Sequence, residues 1–369
     1  MSLEVARKLI EHLDAKIEES SSGKVFFSDE RYTAFPLLPT NFKRIRKPNA
    51  PNHRLVFVDG GNQEVLGAPN FSIQLNRVYF NTFISATRVQ RVRIPSPIEF
   101  FSVTHSVFRD GEICYDTSIF PIRAEEAPLV PNGADLSISS TDRSVMVGMQ
   151  RADIGRVASI ARRFAEWQLA SCVAKELGAE DMIIIDGTLQ TSFKGESKYL
   201  GALVKTTRER DVLLTGLSKT SALFTDTGLS LLGAVIKIAE ESSVQGPWYL
   251  PIARASTDDH NAVITVAKLH QMAEHIFRFE MNADQYEQLD AGGVENVFAS
   301  LAANACDLSF PGYPYGLIDA DQFARVTDRD ISHYQAIMLS EMSKMGKRQK
   351  FLRHMGALDA HRLLNLIIG

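Results

Sequence analysis

Two short apolar runs each end in an aspartate followed by glycine. They are Arg54–Asp59, followed by Gly60 and Gly61, and Met182–Asp186, followed by Gly187. Continuous apolar runs this short read as strands buried on both faces, the kind found at the centre of an α/β sheet. The last residue of such a strand stands at the sheet rim, where ligands of open α/β folds bind. A sharp turn is expected after Asp59, and glycine there lets a ligand come close. Two carboxylates held together repel unless a cation sits between them. Oxygen donors suit a hard cation such as Mn²⁺ or Mg²⁺. The pair Asp59 and Asp186 therefore suggests a divalent metal site. Ordinary strand-end turns are the competing reading for each aspartate taken singly.

The chain has 369 residues, long for one compact domain and short for three. One large α/β domain with insertions, or a core with helical additions, is expected. The formal net charge is -4, so any nucleic-acid contact must come from charge arranged locally. Cys114, Cys172 and Cys306 are far apart and odd in number, which argues against a structural zinc site and suits a reducing cytoplasm. The N-terminus lacks the apolar core of a signal peptide, and no run approaches a membrane span. A cytoplasmic protein with no membrane partner is the expectation.

Val5, Leu9, Leu13 and Ile17 recur every four residues, which predicts an amphipathic helix over 3–19, ended by Ser20–Gly23. It is either an arm packed on the chain's own core or a dimer contact. Residues 1–40 are read as this helical arm and a linker, and 41–369 as the main domain. A β-ribbon insertion is expected at about 66–125. There Ser72–Asn81 and Gln90–Ile94 alternate, and Asp110-Gly111 splits Phe100–Phe108 from Glu112–Phe120 as a hairpin. A long helix is predicted from Asp153, its N-cap, to Leu177, with Gly178 as its stop. Val212–Gly216 is a further strand, followed by Lys219. Asp258–Arg278 should hold a strand and then a helix. Gly292–Cys306 is helical and Pro311–Pro314 breaks it. Asp321 should cap a short helix, and Ile331–Met345 and Leu358–Leu366 should be the last helices.

Glu166 lies on the helix leading into the second aspartate strand, among Ala165, Trp167, Leu169 and Ala170. A glutamate in apolar company often has a metal or a charged partner. An exposed helix glutamate is the alternative. Candidate phosphate contacts are Arg88, Arg91 and Arg93, the run Lys43, Arg44, Arg46 and Lys47, and the pair Arg162 and Arg163, each equally readable as a solvated face. Phe100-Phe101 and the tyrosines Tyr313 and Tyr315 are candidates for base stacking, with core packing favoured for the phenylalanines.

The order strand-Asp, β-ribbons, helix-Glu, strand-Asp resembles the NurA family of DNA end-processing nucleases. The resemblance is carried by VDGG at Asp59, FAEWQLA at Glu166 and IIIDGTL at Asp186. GLSKTS around Lys219, PGYPYGLIDADQFARV ending at Val326 and DAHRLLN at His361 continue it. It spans roughly residues 55 to 365. It implies a ribonuclease H-like mixed α/β sheet flanked by helices, with Asp59, Glu166 and Asp186 as metal-binding carboxylates and His361 as a C-terminal active-site histidine. Arg362 follows where the family pattern leads one to expect an acid, and Asp359 is a nearby acid able to share the role. Lys219 would contact phosphate or developing charge. The implied activity is Mn²⁺- or Mg²⁺-dependent exo- and endonucleolytic hydrolysis of DNA, by a homodimer partnered with a HerA-type hexameric ATPase.

Two other classes compete. A phosphotransferase or ATPase of the actin-like class shares the core, yet should show a duplicated domain and a Gly-rich adenosine motif, neither of which is visible. A non-catalytic adaptor that clamps DNA for a translocase would not need intact carboxylates.

Overall fold

A computed structural model describes residues 3–17, 22–46, 53–90 and 93–355. The chain divides into a smaller unit (Met1–Asn52, Asp186–Gln190, Thr215–Tyr315) and a larger one (His53–Ile185, Thr191–Leu214, Gly316–Gly369). The smaller unit starts with helix α1 (Leu3–Asp14), shorter than the sequence predicts and with no buried residue. Val5, Leu9 and Leu13 keep their stripe but face outward, each about half exposed. The expected packing of this arm on the chain's own core is therefore absent among the described residues. Three short strands follow, β1 (Val25–Phe26), β2 (Tyr32–Ala34) and β3 (Lys43–Arg44).

In the larger unit, β4 (Leu55–Ala68) and β5 (Phe71–Ile84) form a long antiparallel hairpin. Leu55, Val56, Phe57 and Val58 have no solvent exposure, as a central strand requires. The turn predicted after Asp59 is not there: β4 runs straight through Gly60 and Gly61. The glycines instead give clearance to the protein's own helices, as described below. The short β6 (Thr87–Arg88) pairs with β5. Gln90, Arg93 and Ile94 are not in a strand, contrary to expectation, and Arg91 lies outside the described residues. β7 (Ile98–Arg109) and β8 (Glu112–Pro121) form the predicted hairpin. Its turn residues, Asp110 and Gly111, have φ of 53° and 86°, a conformation Asp-Gly tolerates. The two-residue strand β9 (Ile138–Ser139) closes this edge against β8.

The predicted long helix is broken in two. Asp153 caps α2 (Ile154–Ala158) through the N–H groups of Gly155 and Arg156, and α3 (Ile160–Ala174) follows after Ser159. Apolar residues surround α3 on nearly every side, and most of it is buried, as such a helix must be. β10 (Met182–Asp186) then pairs parallel with β4, Met182 opposite Leu55. After α4 (Glu196–Glu209) comes β11 (Leu213–Ser218), whose Leu213 N–H donates to the Asp181 carbonyl. The order β7-β5-β4-β10-β11, three antiparallel strands and then a parallel one entered through a helix, is the ribonuclease H-like arrangement.

The smaller unit continues with β12 (Phe224–Thr225), which pairs with β1, and with α5 (Leu231–Glu241). Its sheet is antiparallel: β13 (Trp248–Thr257), β14 (His260–Lys268) and β15 (Phe277–Asn282), with β2 and β3 on the outer side of β13. Residues Thr215–Ser218 of β11 pair with β15. The strand expected in Asp258–Arg278 is β14, but the helix expected after it is absent: residues 269–276 are turns and irregular chain, and β15 begins at Phe277. Phe277, Phe279 and Met281 are buried at every second position, a period of two that identifies a strand. α6 (Ala283–Gln288) and α7 (Ala291–Asn304) complete the unit. The larger unit ends in α8 (Tyr315–Ala324) and α9 (Asp328–Lys344). Asp321 sits inside α8 rather than at its cap. Leu358–Leu366, Asp359 and His361 lie outside the described residues. No helix among the described residues is long and apolar enough to cross a membrane.

Candidate metal centre

Asp59, near the middle of β4, is 9% exposed and turns one carboxylate oxygen, Oδ1, onto the N–H of Gly60 at 2.7 Å. Asp186 ends β10, as the sequence predicts. Asp321 is carried by the second turn of α8. One carboxylate oxygen from each of Asp59, Asp186 and Asp321 lies within 4.8 Å of the others. Oxygens bound to one octahedral cation at about 2.1 Å are separated by roughly 3 to 4 Å, so a small closure of this group matches a hard divalent ion. Among the described residues the donors are all carboxylate, which favours Mg²⁺ or Mn²⁺ over softer metals.

Positive charge stands beside the acids. Lys219 Nζ is 2.7 Å from Asp186 Oδ2, with its side chain 40% exposed. The prediction of a lysine at this centre thus has a geometric counterpart. Arg325, one turn along α8, reaches Asp321 Oδ2 at 3.2 Å.

The two glycines of β4 fix where these groups stand. Gly61 faces α8, and a Cβ there would run into the Ala324 carbonyl. Gly60 faces α3, and a Cβ there would lie 2.6 Å from Glu166 Oε1. Successive strand residues point to opposite faces. Asp59 and Asp321 therefore share one face of β4, and Glu166 packs on the other. Glu166 is 1% exposed, which overturns the alternative of a solvated helix glutamate. It pairs with Arg162 one turn away on α3, and with Arg163 at 3.5 Å. Arg162 also donates to Asn62 Oδ1 and to the Gly60 carbonyl, so this cluster grips β4 next to Asp59. Among the described residues the converging carboxylates are Asp59, Asp186 and Asp321; Glu166 is held by arginines on the other face of β4.

The loop after Asp186 is held by two buried carboxylates. Glu280 on β15, fully buried, accepts the Leu189 N–H at 2.9 Å. It also pairs with Arg278 at 2.5 Å and accepts His260 Nε2–H at 2.8 Å, and His260 Nδ1 takes the Tyr32 hydroxyl at 2.9 Å. Burial alone would raise the Glu280 carboxyl; Arg278, His260 and the Leu189 N–H outweigh it and hold the group at about 2. In the larger unit Glu196, also fully buried, accepts the N–H groups of Ser192 and Phe193 and the Trp167 indole N–H.

The remaining candidates are dispersed. Arg88 pairs with buried Asp319 on α8. The Arg93 backbone N–H donates to Glu176, and Arg91 is outside the described residues. Arg162 and Arg163 are engaged with glutamates of their own unit rather than offered to solvent. Phe100 is core, Phe101 packs on Tyr334, Tyr313 is buried and Tyr315 is 39% exposed. Asp321 is the residue the sequence reading missed as a ligand. Its signal was the Ala320-Asp321 pair closing the Pro-Tyr-rich segment.

Carboxylates at a strand end, in a neighbouring strand and on a packed helix, with a lysine against one of them, define an α/β domain with an acidic centre suited to a hard cation. The sequence matches the NurA domain across residues 53–326, most of the chain. The chain belongs to the NurA family of nucleases. No curated protein matches it. Among solved structures, Ciona intestinalis endonuclease V bound to an inosine-containing DNA is 10% identical, covering 74% of this chain and 84% of that one, with a TM-score of 0.35. Aquifex aeolicus Argonaute is 8% identical over 75% of this chain and 29% of its own, with a TM-score of 0.29.

Proposed function

We propose that the chain is a divalent-metal-dependent deoxyribonuclease that hydrolyses phosphodiester bonds in DNA end processing. The observation that carries this reading is the convergence of Asp59, Asp186 and Asp321 in a NurA-family domain. These three residues would hold Mn²⁺ or Mg²⁺. A bound divalent cation supplies a water nucleophile at neutral pH and offsets charge on the leaving oxygen. Lys219, which pairs with Asp186, would meet a phosphate oxygen arriving at the same centre. Glu166, through Arg162, keeps Gly60 and hence Asp59 in place from the other face of β4. His361 is assigned proton transfer to the leaving group, following the family motif.

A homodimer working with a HerA-type hexameric ATPase is part of the same reading. The solvent-facing stripe of α1 favours a contact outside the chain. The test is end-labelled DNA incubated with Mn²⁺, with Mg²⁺ and with EDTA. Cleavage that requires metal and is lost in Asp186→Ala is expected. Undiminished cleavage by Asp186→Ala removes the aspartate centre from the chemistry, and absence of cleavage by the wild type with either metal overturns the proposal and leaves a DNA-clamping adaptor.

A further inference from the structure

The segment that leaves Asp186 crosses a strand with no side chain in its way. Gly216, within β11, has a φ outside the left-handed region, so its backbone does not call for glycine. Space does. A Cβ at this position would lie 2.5 Å from the Gly187 carbonyl oxygen and 3.6 Å from the Leu189 side chain. The segment from Gly187 to Leu189 therefore lies over bare main chain. Its first residue is tied to the same strand, because the Gly187 N–H donates to the Leu217 carbonyl at 2.9 Å. That strand also leads into Lys219, the partner of Asp186.

On the far side of Gly216 the segment reaches Glu280. The two residues are cross-strand partners, and Glu280 Oε2 accepts the Leu189 N–H. Three side chains aim this carboxylate. Arg278 takes Oε1, and His260 on β14 donates from Nε2 to Oε2. The Tyr32 hydroxyl on β2 fixes the His260 ring through Nδ1, and Phe27 stacks on Tyr32 at 4.8 Å. Glu280 and His260 have no solvent exposure, so bulk water does not make up for a lost partner. A line of polar contacts thus runs from the outer strand β2 to the residue three places beyond Asp186.

Stability alone is a poor reason for such a group. A buried ion pair adds little that a well-packed apolar pair of equal volume would not. An apolar residue at 280 would, however, leave the Leu189 N–H without its acceptor. Groups behind a metal ligand that fix its orientation govern cation affinity.

We propose that Glu280, aimed by Arg278 and the His260–Tyr32 pair, is a positioning residue for Asp186. It holds the Gly187–Leu189 segment across Gly216 and so sets where the Asp186 carboxylate stands for a cation. This rests on the metal-centre reading and adds its support on the side of β15.

The test compares Glu280→Gln with Glu280→Leu in the full chain without DNA. Both remove the charge that balances Arg278, and only glutamine keeps an oxygen for the Leu189 N–H. A purely structural Glu280 would make the two behave alike. Amide hydrogen exchange in EDTA should be about tenfold faster at Leu189 in the leucine variant than in the glutamine variant. Mn²⁺ titration followed by electron paramagnetic resonance should show binding weaker by about tenfold in the same comparison. Gly216→Ala leaves every ion pair in place, lifts the segment, and should weaken Mn²⁺ binding too; it carries the test if a Glu280 variant does not fold. Equal exchange or equal Mn²⁺ affinity in the two Glu280 variants, or wild-type affinity in Gly216→Ala, overturns the positioning role. Cleavage is measured separately. Wild-type protein that shows this order of Mn²⁺ binding but does not cut DNA overturns the nuclease reading and leaves the positioning role standing; wild-type protein that binds no Mn²⁺ overturns both.

Discussion

Glu280 Oε2 accepts the Leu189 N–H at 2.9 Å, three residues beyond Asp186. A buried carboxylate on one strand therefore tethers the loop that leaves the aspartate cluster, and the tether is strongest while that carboxylate is ionised.

The pH dependence follows from the direction of its shift. The folded value, about 2, lies below the ordinary 4.5. The stabilisation is therefore fully present above about pH 4.5 and is lost as pH falls towards 2, by an amount on the order of 3 kcal/mol. Glu280→Gln keeps the shape but strands Arg278 in the core, at a cost of about 3 to 5 kcal/mol at neutral pH. Urea unfolding at pH 7 and pH 3 checks both statements. A variant as stable as wild type at pH 7 would contradict them.

Asp321→Asn should separate ligand loss from misfolding. Removing one of three crowded carboxylates relieves repulsion, so in EDTA the variant should melt at or above the wild-type temperature. The rise in melting temperature on adding Mn²⁺ should shrink, because fewer ligands favour the bound state. Cleavage should fall at least 100-fold. Full activity would remove Asp321 from the centre.

The apolar face of α1 predicts a change in assembly without a change in fold. None of its residues is buried within the chain, so Leu9→Glu should alter unfolding of the protomer by less than about 0.5 kcal/mol. Sedimentation at micromolar concentration should show wild-type dimer and a shift towards monomer in the variant. Identical sedimentation would remove α1 from the dimer contact.

The central strands were legible because burial writes itself as apolar runs: Leu55–Val58 and Met182–Ile185 can be read without a structure. The hairpin at Asp110-Gly111 was equally plain. Three features were hidden for distinct reasons. Gly60 and Gly61 look like a turn, yet their glycines answer to helices more than 100 residues away, and local sequence does not record such a contact. The strand Phe277–Asn282 mixes Arg278 and Glu280 with apolar residues, and its period of two is too short to stand out after a segment read as helix up to Arg278. Asp321 resembled any polar helix residue, because its meaning depends on which face of β4 the helix covers. Glu166 showed itself as a buried acid, but not which side of the sheet it would occupy.

Gly61→Ala should be the more damaging of the two glycine changes. Its Cβ meets the Ala324 carbonyl, which is backbone and cannot rotate away, so α8 must move; Gly60→Ala meets the end of the Glu166 side chain. Loss of about 1 to 3 kcal/mol is expected for Gly61→Ala, with weakened Mn²⁺ binding. Chemical denaturation and metal titration of both variants check the order, and a Gly60 variant weaker in both would reverse it.

The spacing of the acids thus depends on how closely a helix can ride over bare main chain. Side-chain rotation alone cannot restore that spacing once α8 has drifted, since Asp321 travels with the helix. Cation affinity becomes a gauge of helix docking: gentle warming or low denaturant that loosens α8 should release metal while the sheet is still intact, so inactivation would precede unfolding.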